Sequence, residues 1–275
     1  MAVLVGIFDQ TNTLTGGVTD DTLYGGQLAD LLYGGAGIDR FHGGDGADRM
    51  YGGLGGDIFW AGYGSDTVYG GEGNDVISFG GGRTTALDKC VAYGGEGNDQ
   101  IGGGNGADKL YGGVGNDSVN GGLGNDTLSG DAGNDTMSGG SGNDAMYGGS
   151  GVDRLIGGDG ADRIAGGSGN DILSGGNGSD TFVFTAATDG ADRITDFGGA
   201  GVVGGDRIDL RNIDAVSDST GNDAFSFGSQ TEGGIWVTND GNNTTVALNF
   251  DADPAADLVF TLTGVHLLTA GEFLL

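Results

Sequence analysis

From Gly16 onward the chain repeats one nine-residue phrase, Gly-Gly-x-Gly-x-Asp-x-U-x with U a large apolar residue. There are seven copies from Gly16 to Ser78 and ten from Gly94 to Val183. The clearest are Gly112–Asn120 and Gly121–Ser129. The glycines let the backbone take positive φ and bring main-chain carbonyls close to one point, which a Cβ would obstruct. The segment x-U-x is then a very short strand with U pointing inward and its neighbours outward. The inward series is Leu23, Leu32, Phe41, Met50, Phe59, Val68, Ile77, Ile101, Leu110, Val119, Leu128, Met137, Met146, Leu155, Ile164, Leu173 and Phe182.

Each copy also carries one hard anionic oxygen donor: Asp21, Asp30, Asp39, Asp48, Asp57, Asp66, Asp75, Asp99, Asp108, Asp117, Asp126, Asp135, Asp144, Asp153, Asp162, Asp171 and Asp180. Carboxylate and carbonyl oxygens in a loop suit Ca²⁺, whereas Zn²⁺ wants nitrogen or sulfur, for which the chain offers only His42, His266 and Cys90. Each loop reverses the chain, so two copies make one coil of eighteen residues and loops eighteen apart stack. With one ion between stacked loops, about ten to thirteen Ca²⁺ are expected. Thirteen would bring about +26 against a formal charge of −29.

That balance accounts for a composition that would otherwise resist folding. Sixty-six glycines each cost roughly 0.5–1 kcal/mol relative to alanine, and the aspartates repel one another until a cation arrives. The metal-free repeat is therefore expected to be disordered, with metal binding supplying folding free energy. A merely solvated acidic face would not keep a nine-residue register. Collagen is excluded, since glycine is not at every third position and there is one proline.

These residues resemble the repeats-in-toxin (RTX) family of secreted bacterial proteins, in which such nonapeptides form a calcium-binding parallel β-roll. The resemblance implies an all-β fold: a right-handed parallel β-roll (solenoid) over 16–184, interrupted by an insertion at 79–93. A capping strand would precede it at 1–15, and a C-terminal β module would follow at 185–275. Asp180–Phe184, Asp192–Phe197 and Gly205–Leu210 resemble the module that caps the roll in serralysin-type proteases and alginate epimerases and carries the export signal. The end, Leu268–Leu275, resembles the signal read by a type I secretion exporter. The implied location is extracellular, after secretion by a Gram-negative bacterium.

Met1–Phe8 lacks the features of a signal peptide and reads as a capping strand. No stretch is long enough to span a membrane. One cysteine excludes an intramolecular disulfide framework. The Asn-x-Ser/Thr matches at Asn116, Asn125 and Asn134 are by-products of the repeat. In the C-terminal module, Phe225–Phe227, Ile235–Thr238, Thr245–Leu248 and Leu258–Leu262 read as strands, with Asn239–Asn242 as a hairpin turn. Asp251, Asp253 and Asp257, beside Pro254, read as a polar turn or as one more cation site.

Two irregularities stand out. Phe79–Tyr93 is fifteen residues where nine are expected, so six should protrude and remove stacked sites on one edge. It is either a tolerated insertion or, through Arg83, Lys89 and Cys90, a partner-contact loop or dimer bridge. Tyr33, Tyr51, Tyr69, Tyr93, Tyr111 and Tyr147 keep one register on one sheet. That strip is either a structural ladder or an aromatic face for sugars or protein.

No His-Glu-x-x-His, Gly-x-Ser-x-Gly or phosphate-loop motif is present, and the repeat begins too early to leave room for a catalytic domain, so an enzyme is not expected. Ice binding is not expected either, since the third repeat position carries no threonine. The expected function is that of a secreted calcium-binding protein, structural or adhesive at the cell surface or matrix. The alternative is a calcium-dependent accessory or effector acting on glycans or host membranes. Expected partners are calcium, the exporter, and a polysaccharide or cell-surface protein. Nucleic acid is not among them, given the acidic balance.

Overall fold

The computed structural model describes residues 1–80, 88–186, 189–198, 205–213, 226–227, 234–249, 256–264 and 266–275. The chain forms two compact units, Met1–Ala145 and Met146–Leu275.

In the first unit, short strands alternate between two parallel sheets. One contains Val3–Val5, Thr22–Gly26, Arg40–Asp45, Ile58–Tyr63, Val76–Ser78, Gln100–Asn105, Ser118–Leu123 and Thr136–Ser141. The other contains Thr13–Thr15, Leu31–Ala36, Arg49–Leu54, Thr67–Glu72, Val91–Glu96, Lys109–Val114 and Thr127–Ala132. This is the parallel β-roll expected from the repeat. Register partners lie eighteen residues apart, as in Leu32↔Met50, Met50↔Val68 and Phe41↔Phe59. The U residues are buried in two inward columns, with Phe41 and Phe59 stacked at 4.5 Å.

Glycine is required where coils touch. A Cβ on Gly53, which has φ +110°, would strike the Gly35 carbonyl one coil earlier. L side chains are disfavoured there both by φ and by that close approach.

At the interruption the offset grows to twenty-four, Ala92 pairing with Val68 and with Leu110. The pattern had no inward residue here, yet Ala92 is fully buried in the column. Residues 81–87, where the extra loop and Arg83 are expected, lie outside the described residues. Cys90 is 2% exposed and takes the position an aspartate holds elsewhere, which removes it as a bridge to a second chain.

The second unit begins the same way, with Arg154–Gly160 parallel to Ile172–Gly178 and Arg163–Ser168 parallel to Thr181–Val183. Parallel pairing continues past residue 184: Ile172–Leu173 pair with Arg193–Ile194, and Thr181–Val183 with Arg207–Asp209. Arg193–Ile194 then pair with Thr261–Leu262, and Ile208–Asp209 with Phe273–Leu274. Antiparallel strands follow, Gly234–Asn239 with Asn243–Asn249 and the latter with Leu258–Thr263. The expected hairpin turn is present: Gly241 has φ +94°, and Asp240 Oδ1 accepts from the N–H groups of Asn242 (2.8 Å) and Asn243 (2.7 Å). Ile235, Val246, Leu248, Leu258, Phe260 and Leu262 are buried, and Phe184 stacks on Phe260 at 4.3 Å. Of the expected acidic cluster, Asp251 and Asp253 lie outside the described residues.

The inward columns should dominate the roll's stability. With calcium in excess, Leu110→Ala should cost about 2–5 kcal/mol in denaturant unfolding. Leu123→Ala, at a position 54% exposed, should stay within about 0.5 kcal/mol. Equal effects would show that the columns do not carry the core.

Candidate metal centres

The repeat aspartate ends each turn and enters the next strand, and it is nearly fully buried in every copy. Its two oxygens have separate surroundings. Oδ1 accepts the N–H of the aspartate one coil earlier: Asp21 to Asp39 (2.7 Å), Asp39 to Asp57 (2.7 Å), Asp99 to Asp117 (2.8 Å), Asp108 to Asp126 (2.8 Å). The ladder crosses the interruption, the Asp75 N–H donating to Asp99 Oδ1 at 2.7 Å.

Oδ2 is the oxygen with chemistry left over. In Asp30, Asp39, Asp48, Asp57, Asp66, Asp75, Asp99, Asp108, Asp117, Asp126, Asp171 and Asp180 it is buried and accepts no hydrogen bond. An unpaired buried polar atom costs about 1–3 kcal/mol, and more for a charged one. Each of these is a buried anionic oxygen with capacity left to ligate a cation. Main-chain oxygen lies beside it: a Cβ on Gly52 would run into both the Asp57 carboxylate and the Gly70 carbonyl of the next coil.

Among the described residues no three His, Cys, Asp or Glu side chains converge on one point. The aspartates stand in single file rather than in clusters, so carbonyls must supply the remaining ligands. That donor set fits calcium, which takes six to eight oxygens of mixed kind.

Two positions in the file differ. Asp21 accepts one backbone bond on each oxygen, Oδ2 from the Gly17 N–H (2.9 Å) and Oδ1 from that of Ala2 (2.5 Å), which leaves lone pairs for a cation. Cys90 keeps the stacking bond, its N–H donating to Asp108 Oδ1 (2.8 Å), but brings no carboxylate. Burial pushes its thiol up to about 12. The pattern also missed Asp192 and Asp206, whose Oδ1 atoms accept the N–H groups of Asp171 and Asp180 at 2.9 Å. The available signal was Gly-x-Asp-Arg-Ile at 190–194 and 204–208, which repeats Gly-x-Asp-x-U without the leading Gly-Gly pair.

Burial sets the titration of the file. It pushes Asp48, Asp57, Asp66, Asp75 and Asp108 up to about 7, and Asp99 and Asp180 to about 6, opposed by the backbone N–H bond each accepts.

The tyrosine register is a stacked ladder. Tyr33, Tyr51, Tyr69, Tyr93 and Tyr111 follow one another at 4.8–5.0 Å between ring centroids, with planes within 14° of parallel. A second ladder on the other sheet, absent from the sequence reading, stacks Tyr24, His42 and Trp60 at 4.5 and 4.7 Å. Burial there holds the His42 imidazole below its ordinary value.

A family model described as the RTX calcium-binding nonapeptide repeat matches residues 8–27, 24–59, 51–86, 93–128, 111–146, 120–155 and 147–182. Among solved structures, the AlgE6R3 subunit of the Azotobacter vinelandii mannuronan C5-epimerase is 29% identical, covering 51% of this chain and 77% of that one with a TM-score of 0.38. The AlgE6R2 subunit is 26% identical, covering 50% and 90% with a TM-score of 0.35. No curated protein matches the chain significantly.

The raised carboxyl values predict opposite pH responses with and without metal. Between the ordinary value of 3.8 and about 7 the folded roll binds more protons than the unfolded chain, so metal-free stability falls as pH rises through that window. Calcium needs the deprotonated carboxylates, so its affinity should rise over the same interval. Circular dichroism in chelator should show more β signal at pH 5 than at pH 8, while calorimetry should show weaker calcium binding at pH 5. The same trend in both experiments would contradict the role given to Oδ2.

Proposed function

Since the chain belongs to the RTX calcium-binding nonapeptide repeat family, we propose that it is a secreted protein that folds outside the cell as calcium binds and serves a structural or adhesive role at the cell surface or matrix. The observation that carries this reading is the buried Oδ2 that accepts no hydrogen bond in Asp30, Asp39, Asp48, Asp57, Asp66, Asp75, Asp99, Asp108, Asp117, Asp126, Asp171 and Asp180. Asp21, Asp30, Asp39, Asp48, Asp57, Asp66, Asp75, Asp99, Asp108, Asp117, Asp126, Asp135, Asp144, Asp153, Asp162, Asp171 and Asp180 are the proposed side-chain ligands, for about ten to thirteen ions. Bound calcium supplies the positive charge that these carboxylates lack.

The chain's own residues do the rest. Oδ1 of each aspartate holds the neighbouring coil in register, the glycines leave space for carbonyl approach, and the U side chains seal the interior from water. In low cytosolic calcium the acidic chain stays open and passes through an exporter of the type I class. Calcium outside then folds it, and linkage gives the passage a direction. Among the described residues no helix is long and apolar enough to cross a membrane. Residues 1–15 and 185–275 act in this reading as end caps, the latter also as the secretion module, and the roll is not itself catalytic.

The alternative, action on glycans, would draw on the tyrosine strip. A sugar stacks on the flat face of a ring, and in this ladder Tyr51, Tyr69 and Tyr93 have both faces covered by neighbours. What they present outward is ring edge and hydroxyl, which favours the structural role.

In excess EGTA, far-UV circular dichroism should show a mostly disordered chain, with calcium at about 10⁻⁴–10⁻³ M restoring β signal cooperatively. Full β content without calcium would sink the proposal. Replacing Tyr33, Tyr51, Tyr69 and Tyr111 with serine should raise the calcium needed for folding, since each cross-strand pair contributes about 0.2–1 kcal/mol. Loss of retention on a bacterial polysaccharide at an unchanged calcium midpoint would instead make the strip a binding face.

A further inference from the structure

The segment around Asp192 reproduces the geometry of a repeat turn while keeping only its Gly-x-Asp-x-U half, at 190–194. The family match ends at residue 182, and 185–190 reads Thr-Ala-Ala-Thr-Asp-Gly. Yet three contacts join this segment to the turn before it. The Arg193 N–H donates to the Asp171 carbonyl (2.8 Å), the Ala191 N–H to Asn170 Oδ1 (2.9 Å), and the Asp171 N–H to Asp192 Oδ1 (2.9 Å).

The same three join the repeat turns at 98–99 and 116–118. There the Ser118 N–H donates to the Asp99 carbonyl (2.8 Å), the Asn116 N–H to Asn98 Oδ1 (2.7 Å), and the Asp99 N–H to Asp117 Oδ1 (2.8 Å). Gly190, with φ +84°, lies so close to the Gly169 carbonyl that a Cβ would strike it, as one on Gly169 would strike that of Gly151.

The local chemistry calls for a cation. Asp171 and Asp192 are 1% and 2% exposed, Asp171 Oδ2 accepts no N–H or hydroxyl bond, and the two carboxyl groups lie within hydrogen-bonding reach of each other, so with both deprotonated they need a cation between them. Among the described residues no ion pair reaches either carboxylate. The adjacent base, Arg193, donates Nε to Thr263 Oγ1 (3.1 Å). Asp189, also buried, is engaged elsewhere, its Oδ2 accepting from the N–H groups of Thr185 (2.5 Å) and Ala186 (3.1 Å).

We propose that Asp192, together with Asp171, holds a further calcium ion outside the nonapeptide repeats, and that this site fastens the non-repeat strands to the roll. The Asp192 carbonyl accepts the Thr261 N–H (2.8 Å), and Arg193–Ile194 pair with Ile172–Leu173 on one side and Thr261–Leu262 on the other. Ordering this one turn therefore orders the join to Leu258–Thr263. The proposal rests on the reading of the repeat aspartates as calcium ligands and adds a site that the repeat does not encode.

The test is calcium counting on the folded full chain, by equilibrium dialysis with elemental analysis, for the natural protein, Asp192→Asn and Asp196→Asn. Asp196 is a neighbouring carboxylate already satisfied by Ser174 Oγ (2.6 Å) and by the N–H groups of Gly175 and Gly176 (2.9 Å each). Asp192→Asn should lose one calcium per chain while Asp196→Asn keeps the full count. Amide exchange at 193–194 and 259–262 should quicken only in Asp192→Asn, with the repeats still protected. An unchanged count in Asp192→Asn, or an equal loss in both variants, would overturn the proposal. A natural chain that binds no calcium would instead overturn the parent reading.

Discussion

One buried carboxylate per turn, its two oxygens given different tasks, is the constraint on which the rest of the roll depends. Oδ1 accepts an N–H from the neighbouring coil and so fixes which turn stacks on which. Oδ2 of the same group is left in a dry site without a donor. Stacking and the charge state of the carboxylate are therefore coupled. Bringing coils into register is the act that buries the charge, and a carboxylate buried in this way either takes up a proton or is neutralised by a cation.

Regularity at the carboxylates propagates to the surface. Parallel pairing places equivalent residues about 4.8 Å apart, and aromatic side chains at equivalent positions therefore stack face to face. Both aromatic ladders follow from this spacing alone. Stacking changes what such a strip can do, since covered faces leave only edges and hydroxyls for a partner. An asparagine ladder is built in the same way: the Asn116 N–H donates to Asn98 Oδ1 and the Asn134 N–H to Asn116 Oδ1, at 2.7 Å each. This gives the Asn-Asp pairs of the repeat a structural role.

In the second unit the same interactions outlast the sequence pattern that announces them. Register offsets change from eighteen to twenty-one at Asp171–Asp192 and to twenty-six at Asp180–Asp206, yet the N–H to Oδ1 bond is kept at both steps. Asp209 marks a different solution for a buried carboxylate. Arg211 and Arg163 each bond it at 2.9 Å, and those guanidinium partners hold it well below the usual carboxylate range. Where arginine is within reach, burial needs no metal.

The amino-acid sequence by itself determined the nine-residue register, the inward column, the single file of aspartates and the Asn239–Asn242 hairpin turn. Each depends on contacts at a constant spacing or within a few residues, so periodicity is enough to read them. Tertiary structure decided what happens where the spacing changes. Ala92 and Cys90 complete a coil across an offset of twenty-four, and Asp192 and Asp206 extend the carboxylate file without the leading Gly-Gly pair. Tyr24, His42 and Trp60 form a ladder from three different residue types, which no count of one type reveals. What chooses these positions is backbone pairing between coils. A hydrogen bond across a sheet is indifferent to how many residues the intervening loop contains.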